Sequence, residues 1–291
     1  MMPTLYIVPT PIGNLEDLTV RAARVLSEAD FIAAEDTRVT LKLLGHLGLK
    51  KPMVSYYEHN RRESGERIAA RVAAGETCAL VTDAGTPAVS DPGADLVALC
   101  AERNIPVVAL PGPCAAVTAL SVSGLPSGRF CFEGFLSVSR KSRRAHLDAL
   151  RDETRAMIFY EAPHKLRATL ADLGETFGGD RALAVCRELT KLHEEVLRLT
   201  LGEAAAHFAE TPPRGEFVLV VAGRPKAAAP DGADCLSEAV SLALAHIEQG
   251  GTLRDAARRA AEATGARRAD VYAETLRHLE TEERPDDGPS I

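Results

Sequence analysis

Between Leu5 and Leu120 the chain repeats one pattern: a short apolar run, then a longer stretch whose apolar residues recur every three or four positions. The runs are LYIVP, FIAAE, MVSYY, TCALVTD and PVVALP, separated by segments such as TVRAARVLSEA and RIAARVAAG. Strands that alternate with helices in this way are joined by crossovers, so the expected fold class is α/β, a mostly parallel sheet with helices on its faces. Ligands of such sheets sit beyond the carboxyl ends of the strands. Four turn-rich loops fall there: Pro9 to Asn14, Glu35 to Arg38, Asp83 to Pro87 and Pro111 to Ala116. In the third, the small residues Ala84, Gly85 and Thr86 let backbone N–H groups approach a ligand closely. The chain continues into Asp91-Pro92-Gly93, which reads as an N-cap with proline at the first helical position, opening a helix that runs to about Arg103.

A second α/β unit with a mixed sheet is expected from the strand-like FCFEGF, RAMIFYEA, RALAVCREL and EFVLVVAG, with helical patterns around Ala145 to Arg151 and Lys165 to Phe177. At 291 residues the chain is long for one core. The expected division is 1–122 for the first α/β domain and 123–224 for the second. A linker over 225–235, a helix-turn-helix-like unit over 236–280 and a mobile tail over 281–291 follow. In the helical unit, Thr252 and Asp255 have capping-box spacing and Gly265 stands where the same helix should end.

Several function classes lack residues. There is no G-x-x-x-x-G-K-[ST], and the first loop is P-T-P-I-G-N, so ATP and NAD are disfavoured. There is no H-E-x-x-H, C-x-x-C or G-x-S-x-G, and no metal is expected. The six cysteines lie mostly inside apolar runs, as buried free thiols do in a reducing compartment. The start has no basic segment before its apolar run, and the uncharged stretch from Arg103 to Arg129 is interrupted by four prolines, so a cytoplasmic protein without a membrane span is expected. A net charge of −7 argues against binding polyanions by bulk electrostatics and directs attention to local patches.

The ordered set LYIVPTPIGNLEDLT, AAEDTR, VTDAGTPAVSDPG, ALPGPCAAVTALSVSGLP, FCFEGFL, FYEAPHK, CRELTK and GEFVLVVAG resembles the tetrapyrrole methylase superfamily of S-adenosylmethionine-dependent methyltransferases. It is most similar to the branch that methylates the ribose 2′-hydroxyl of a cytidine in small-subunit ribosomal RNA. Tetrapyrrole-modifying relatives usually carry a G-x-G-P-G type first loop and G-G-D-P where this chain has Ala84-Gly85-Thr86-Pro87. The resemblance implies a cofactor crevice between the two α/β domains, with S-adenosylmethionine contacting Pro11, Asp83, Ala84, Gly85, Thr86, Cys114, Ala115 and the segment around Glu161. It also implies a small-subunit ribosomal RNA or assembled-subunit substrate and a homodimer.

A sulfonium methyl is already activated, so holding the acceptor oxygen in line supplies much of the acceleration, and the remaining problem is the hydroxyl proton. Lys191 with Glu188 ranks first for that task, with Lys165, His164, Asp36 and Arg38 as further candidates. Two basic clusters are candidate RNA contacts: Arg140, Lys141, Arg143 and Arg144, then Arg254, Arg258, Arg259, Arg267 and Arg268. From charge alone, pairing with nearby acids as an ordinary solvated surface is the slightly stronger reading. A small-molecule tetrapyrrole methyltransferase and a non-catalytic RNA-binding assembly factor stand as alternatives.

Overall fold

The structure, a computed structural model, describes residues 3–225 and 232–282. The chain divides into two compact units, Met1–Arg224 and Pro225–Ile291. In the first unit, strands β1 (Leu5–Ile7), β2 (Phe31–Ala34), β3 (Met53–Ser55), β4 (Cys78–Val81) and β5 (Val107–Ala109) alternate with helices α1 (Val20–Glu28), α2 (Thr37–His46), α3 (Arg61–Ala73) and α4 (Ala94–Glu102). The strands form one parallel sheet in the order β3-β2-β4-β1-β5. One face packs Ile68, Ala69, Leu96 and Cys100 of α3 and α4 against Leu5, Phe31 and Leu80. The other packs Val25, Leu26, Leu43 and Leu44 of α1 and α2 against Ile32, Ala34 and Val81. Covering both faces explains why FIAA and CALV are buried at every position and show no period-2 alternation.

Helix α5 (Ala115–Ser123) completes this part of the chain, yet it packs on the next sheet, where Ala116, Ala119 and Leu120 meet Ile158, Ala184, Cys186 and Val220. The expected boundary at 122 therefore falls at the end of a helix whose apolar side faces the second sheet. That sheet contains β6 (Phe130–Phe135), β7 (Ala156–Glu161), β8 (Ala182–Arg187), β9 (Glu195–Thr200) and β10 (Phe217–Val221), in the order β6-β7-β10-β8-β9. Only β6 and β7 pair in parallel; the remaining ladders are antiparallel, so the sheet is mixed. Helices α6 (Arg140–Ala149), α7 (Pro163–Phe177) and α8 (Leu201–Glu210) cover its other face around Leu147, Phe159, Leu170 and Phe208.

Strand β9 and helix α8 are additions to the sequence reading. The strand lies at a sheet edge and none of its residues is fully buried, which leaves EVLRLT without a clean alternation. The helix begins with a full capping box, Thr200 accepting from the Glu203 N–H while Glu203 accepts from the Thr200 N–H, so T-x-x-E was its signal.

Among the described residues the second unit has three helices, α9 (Gly232–Glu248), α10 (Leu253–Thr264) and α11 (Arg268–Glu282), in place of the expected helix, turn, helix. Its core is mostly alanine, with Ala239, Ala243, Ala256, Ala257 and Ala260 around Val271. Such small residues carry little hydrophobic signal, yet they allow close helix packing. Thr252 caps α10 and Gly265 ends it in the left-handed conformation, as the spacing predicts. Helix α9 starts at Gly232, inside the expected 225–235 linker, whose residues 226–231 lie outside the described residues. Helix α11 runs into the expected tail, of which 283–291 lie outside them. Among the described residues no helix is long and apolar enough to cross a membrane.

Candidate active site

Strands β1 and β4 are neighbours, but the chain leaves β1 toward α1 on one face and leaves β4 toward α4 on the other. A parallel sheet opens a crevice at such a switch point. The two loops are bonded to each other there. The Thr10 N–H donates to the Gly85 carbonyl at 2.9 Å, the Gly85 N–H donates to the Thr10 carbonyl at 3.0 Å, and the Thr10 hydroxyl donates to the Thr82 carbonyl at 3.0 Å. Thr86 ties in the loop after β5 by donating its hydroxyl to the Pro113 carbonyl at 2.8 Å. Gly85 has φ +89°, a conformation that strains any residue with a Cβ. Both its N–H and its carbonyl are bonded to Thr10, so Gly85 holds the two loops together through its backbone.

The space beyond these loops is a cavity of about 480 Å³ whose walls come from both sheets of the first unit. The wall from the first sheet is acidic, with Glu35, Asp83 and Asp91. Glu35 accepts from the Thr82 hydroxyl at 2.6 Å, and Asp83 accepts from the Asp36 N–H at 3.0 Å. Burial, with the charges of Glu35 and Asp83 added, pushes the Asp91 carboxyl up to about 6. Asp83 is also raised, mainly by burial and next by Glu35 and Asp36, while the hydrogen bond from the Asp36 N–H works against the shift.

Asp91 is therefore a wall residue, which corrects its reading as a helix N-cap. Helix α4 starts three residues later, and its N-cap is Gly93 at φ +149°, where a Cβ would lie 3.0 Å from Ala88. Ala88 and Ser90 also have positive φ, 67° and 68°. Three such residues in six form a strained turn that holds Asp91 toward the cavity; strain of this kind persists only where surrounding contacts impose it.

The wall from the second sheet carries one cation. The Lys191 ammonium donates to Glu188 Oε1 at 2.8 Å and to Glu216 Oε2 at 2.6 Å. Burial opposes its charge, but the two carboxylates outweigh burial and hold Lys191 above the ordinary lysine value. The hydrogen bond from Lys191 holds Glu188 below the usual carboxylate range. Glu188 Oε1 also accepts from the Glu216 N–H at 2.9 Å, and Glu188 and Thr190 have positive φ, 51° and 66°. A Cβ at Gly13 would sit 2.5 Å from Lys191 Cγ, so the lysine stem lies across the PTPIGN loop only because position 13 is glycine. Between the walls the lining is apolar or aromatic: Ile12, Ala115, Phe135, Tyr160, Leu189 and Val218. The Tyr160 hydroxyl accepts from the Ala116 N–H at 3.1 Å, and its own proton is held up to about 12 by burial and next by Cys114.

Of the residues implied as cofactor contacts, Asp83, Ala84, Gly85, Thr86, Cys114, Ala115 and Glu161 line this cavity, and Lys191 joins them. Pro11 does not; its neighbour Ile12 does. Glu161 is buried, and its carboxylate accepts from the Ala162 N–H at 2.8 Å and the Thr169 hydroxyl at 2.5 Å, which fixes the start of α7.

Other candidates are elsewhere. Asp36 caps α2 by accepting from the Arg38 N–H at 2.8 Å, and its ion pair with Arg38 lowers it to about 2, so it is a poor proton acceptor. Lys165 and His164 line a separate cavity of about 160 Å³ on the far side of Glu161. Arg143 is half-buried, paired with Asp172 at 2.6 Å and bonded to the Ser137 and Val138 carbonyls, so it holds α6 onto α7 and is not a free RNA contact. Arg144 pairs with Glu175, and Arg258 with Asp255 and Glu262. Arg140, Lys141, Arg254, Arg259, Arg267 and Arg268 are exposed. Sequence reasoning missed Asp91 as a wall residue, Tyr160 and Glu216; the last stands directly before β10 in GEFVLVV, where its only signal was a carboxylate at a strand start.

A family model described as Tetrapyrrole (Corrin/Porphyrin) Methylases matches residues 4–205. The chain belongs to the tetrapyrrole methylase family. Curated members that it resembles include a Synechocystis protein named ribosomal RNA small subunit methyltransferase I, 52% identical over 222 residues, covering 76% of this chain and 80% of the relative. A Pseudomonas aeruginosa protein of the same name is 45% identical over 277 residues, covering 94% of this chain and 96% of the relative. The same tetrapyrrole methylase fold occurs in a cobalt precorrin-4 methyltransferase, with TM-score 0.56, 16% identity and coverage of 75% of this chain and 94% of that one. A Thermus thermophilus uroporphyrin-III C-methyltransferase complexed with S-adenosylhomocysteine matches with TM-score 0.53 and 19% identity, covering 75% of this chain and 96% of that one.

Proposed function

We propose that this chain transfers the methyl group of S-adenosylmethionine to the ribose 2′-hydroxyl of a cytidine in small-subunit ribosomal RNA. The observation that carries the reading is the cavity, with Glu35, Asp83 and Asp91 on one wall and, on the other, an ammonium held between Glu188 and Glu216. S-adenosylmethionine supplies, when bound, an electrophilic methyl group on a cationic sulfur. The cavity's residues fit such a molecule: Glu35, Asp83 and Asp91 favour positive charge, and the apolar lining around Ile12 and Val218 accommodates a purine. No phosphate-binding glycine loop is needed, and none is present.

The opposite wall suits the acceptor. An oxygen that gains negative charge is stabilised beside an ammonium and destabilised beside three carboxylates, so the hydroxyl belongs at Lys191. Lys191 is held protonated, which makes it an electrostatic partner and not a base. The names of the curated relatives support ribosomal RNA as the substrate over a tetrapyrrole, and the exposed Arg140 and Lys141 on α6 and Arg254, Arg267 and Arg268 on the helical unit are the proposed docking charges. The homodimer implied by the family resemblance belongs to the same proposal, and sedimentation at micromolar concentration tests it.

Incubation with methyl-labelled S-adenosylmethionine, small ribosomal subunits and a tetrapyrrole precursor tests the substrate. Label in the RNA is the expected result. Label in the tetrapyrrole alone contradicts it, and cofactor binding without any transfer favours a non-catalytic assembly factor.

A further inference from the structure

The cavity wall carries a carboxylate, Glu216, that the sequence reading did not name. We propose that Glu216 takes the hydroxyl proton during methyl transfer, with Glu188 as the positioning residue that holds both Glu216 and Lys191; this rests on the function proposed above. Lys191, Glu188 and Glu216 form a closed group. Glu188 Oε1 accepts from the Lys191 ammonium at 2.8 Å and from the Glu216 N–H at 2.9 Å, and the Glu188 N–H donates to the Glu216 carbonyl at 3.0 Å. Glu188 is thus committed on both backbone and side chain, and protonating it would release the two donors it organises.

Glu216 differs. One of its oxygens, Oε2, accepts from Lys191 at 2.6 Å, and the side chain is 80% exposed on the cavity wall. Two carboxylates and one ammonium give the trio a net charge of −1, so a proton arriving on Glu216 neutralises it. Lys191 and Glu216 line the same cavity 2.6 Å apart, so one hydroxyl can meet both the proton acceptor and the ammonium that would stabilise its oxygen.

The other carboxylates of the cavity serve less well. Both Glu161 oxygens hold the start of α7. Asp83 and Asp91 are raised first by burial and next by neighbouring carboxylates, and with Glu35 they form a cluster with no cation among that wall's lining residues, which would repel a forming alkoxide. In the step itself, the ribose oxygen forms a bond to the methyl carbon while the carbon–sulfur bond breaks. The electron pair of that bond stays on sulfur, which becomes a neutral thioether, and the hydroxyl proton passes to the Glu216 carboxylate.

The test uses the full chain with unmodified small ribosomal subunits, in single-turnover assays. Glu216→Gln should lower the rate about 10²-fold, both in the parent and in a Lys191→Ala background, and leave calorimetric affinity for S-adenosylmethionine within about threefold. Glu216→Asp, which keeps the carboxylate, should react at an intermediate rate. A Glu216→Gln rate within about threefold of the parent overturns the proposal, and so does a substitution that is silent in the Lys191→Ala background, since Glu216 would then only position Lys191. Parent protein that transfers no methyl to ribose defeats the functional reading instead, so the two failures are separable.

Discussion

The two walls of the cavity are built by different means. The first-sheet wall is fixed by backbone: Thr10 and Gly85 exchange both of their peptide hydrogen bonds, and left-handed residues at 85, 88, 90 and 93 force the turn that carries Asp91. The second-sheet wall is fixed by side chains, a lysine gripped by two glutamates above a glycine. The difference separates two tasks. A cofactor that must be held in the same pose at every turnover is suited by a rigid peptide cradle, whereas an acceptor hydroxyl that loses its proton needs side chains that can stabilise the oxygen and take the proton. Damage to the first wall should therefore appear in cofactor affinity and stability, and damage to the second in the rate of transfer.

Lys191→Ala is the severest way to break this division. Single-turnover methyl transfer should fall about 10³-fold while calorimetric affinity for S-adenosylmethionine stays within about threefold, because the variant removes charge stabilisation only as the oxygen ionises. An unchanged rate would remove Lys191 from the chemistry. On the other wall, Gly85→Val should weaken the cofactor about 10- to 100-fold. A β-branched residue at φ +89° costs on the order of 1–3 kcal/mol, so a lower melting temperature should accompany the loss, and normal affinity would show that the cradle does not depend on this turn.

Gly13→Ala crosses between the walls, since it alters a first-sheet loop but displaces the Lys191 stem. A fall of about 10-fold in rate is expected, with the same substitution nearly silent in a Lys191→Ala background; equal effects in both would assign Gly13 a separate role.

The smallest effect concerns Asp91. With its carboxyl raised to about 6, the folded protein holds this proton more tightly than the unfolded chain, so stability present below about pH 4 is lost as pH rises through about 6. Asp91→Asn should gain about 1 to 3 kcal/mol over the parent at pH 8 and nothing at pH 4 in denaturant titrations. It should also bind S-adenosylmethionine a few-fold more weakly at pH 8, with less change for uncharged S-adenosylhomocysteine. Parallel stability curves would show that Asp91 is not desolvated.

The first sheet was the most legible part of the sequence because its strands are buried on both faces and its crossovers force a parallel order. Legibility fell where partners came from far along the chain. Asp91 has cap spacing with Pro92, but contact between Gly93 and Ala88 turns the chain before a helix can start. Arg143 sits in a basic run, yet Asp172, 29 residues on, holds it. Asp36 and Lys165 belong to the right loops but point their chemistry to a helix cap and a neighbouring cavity. The loops were readable from their turn residues, while the pairings that decide which charges remain available required the fold.

The most direct measurement is nucleoside mass spectrometry of small-subunit RNA from cells with and without this protein, and from unmodified subunits treated with it and methyl-labelled S-adenosylmethionine. The account predicts one 2′-O-methylcytidine that is lost without the protein and regained, labelled, on treatment. Label on a base or on no nucleoside, or an unchanged ribose-methylation map, would contradict it.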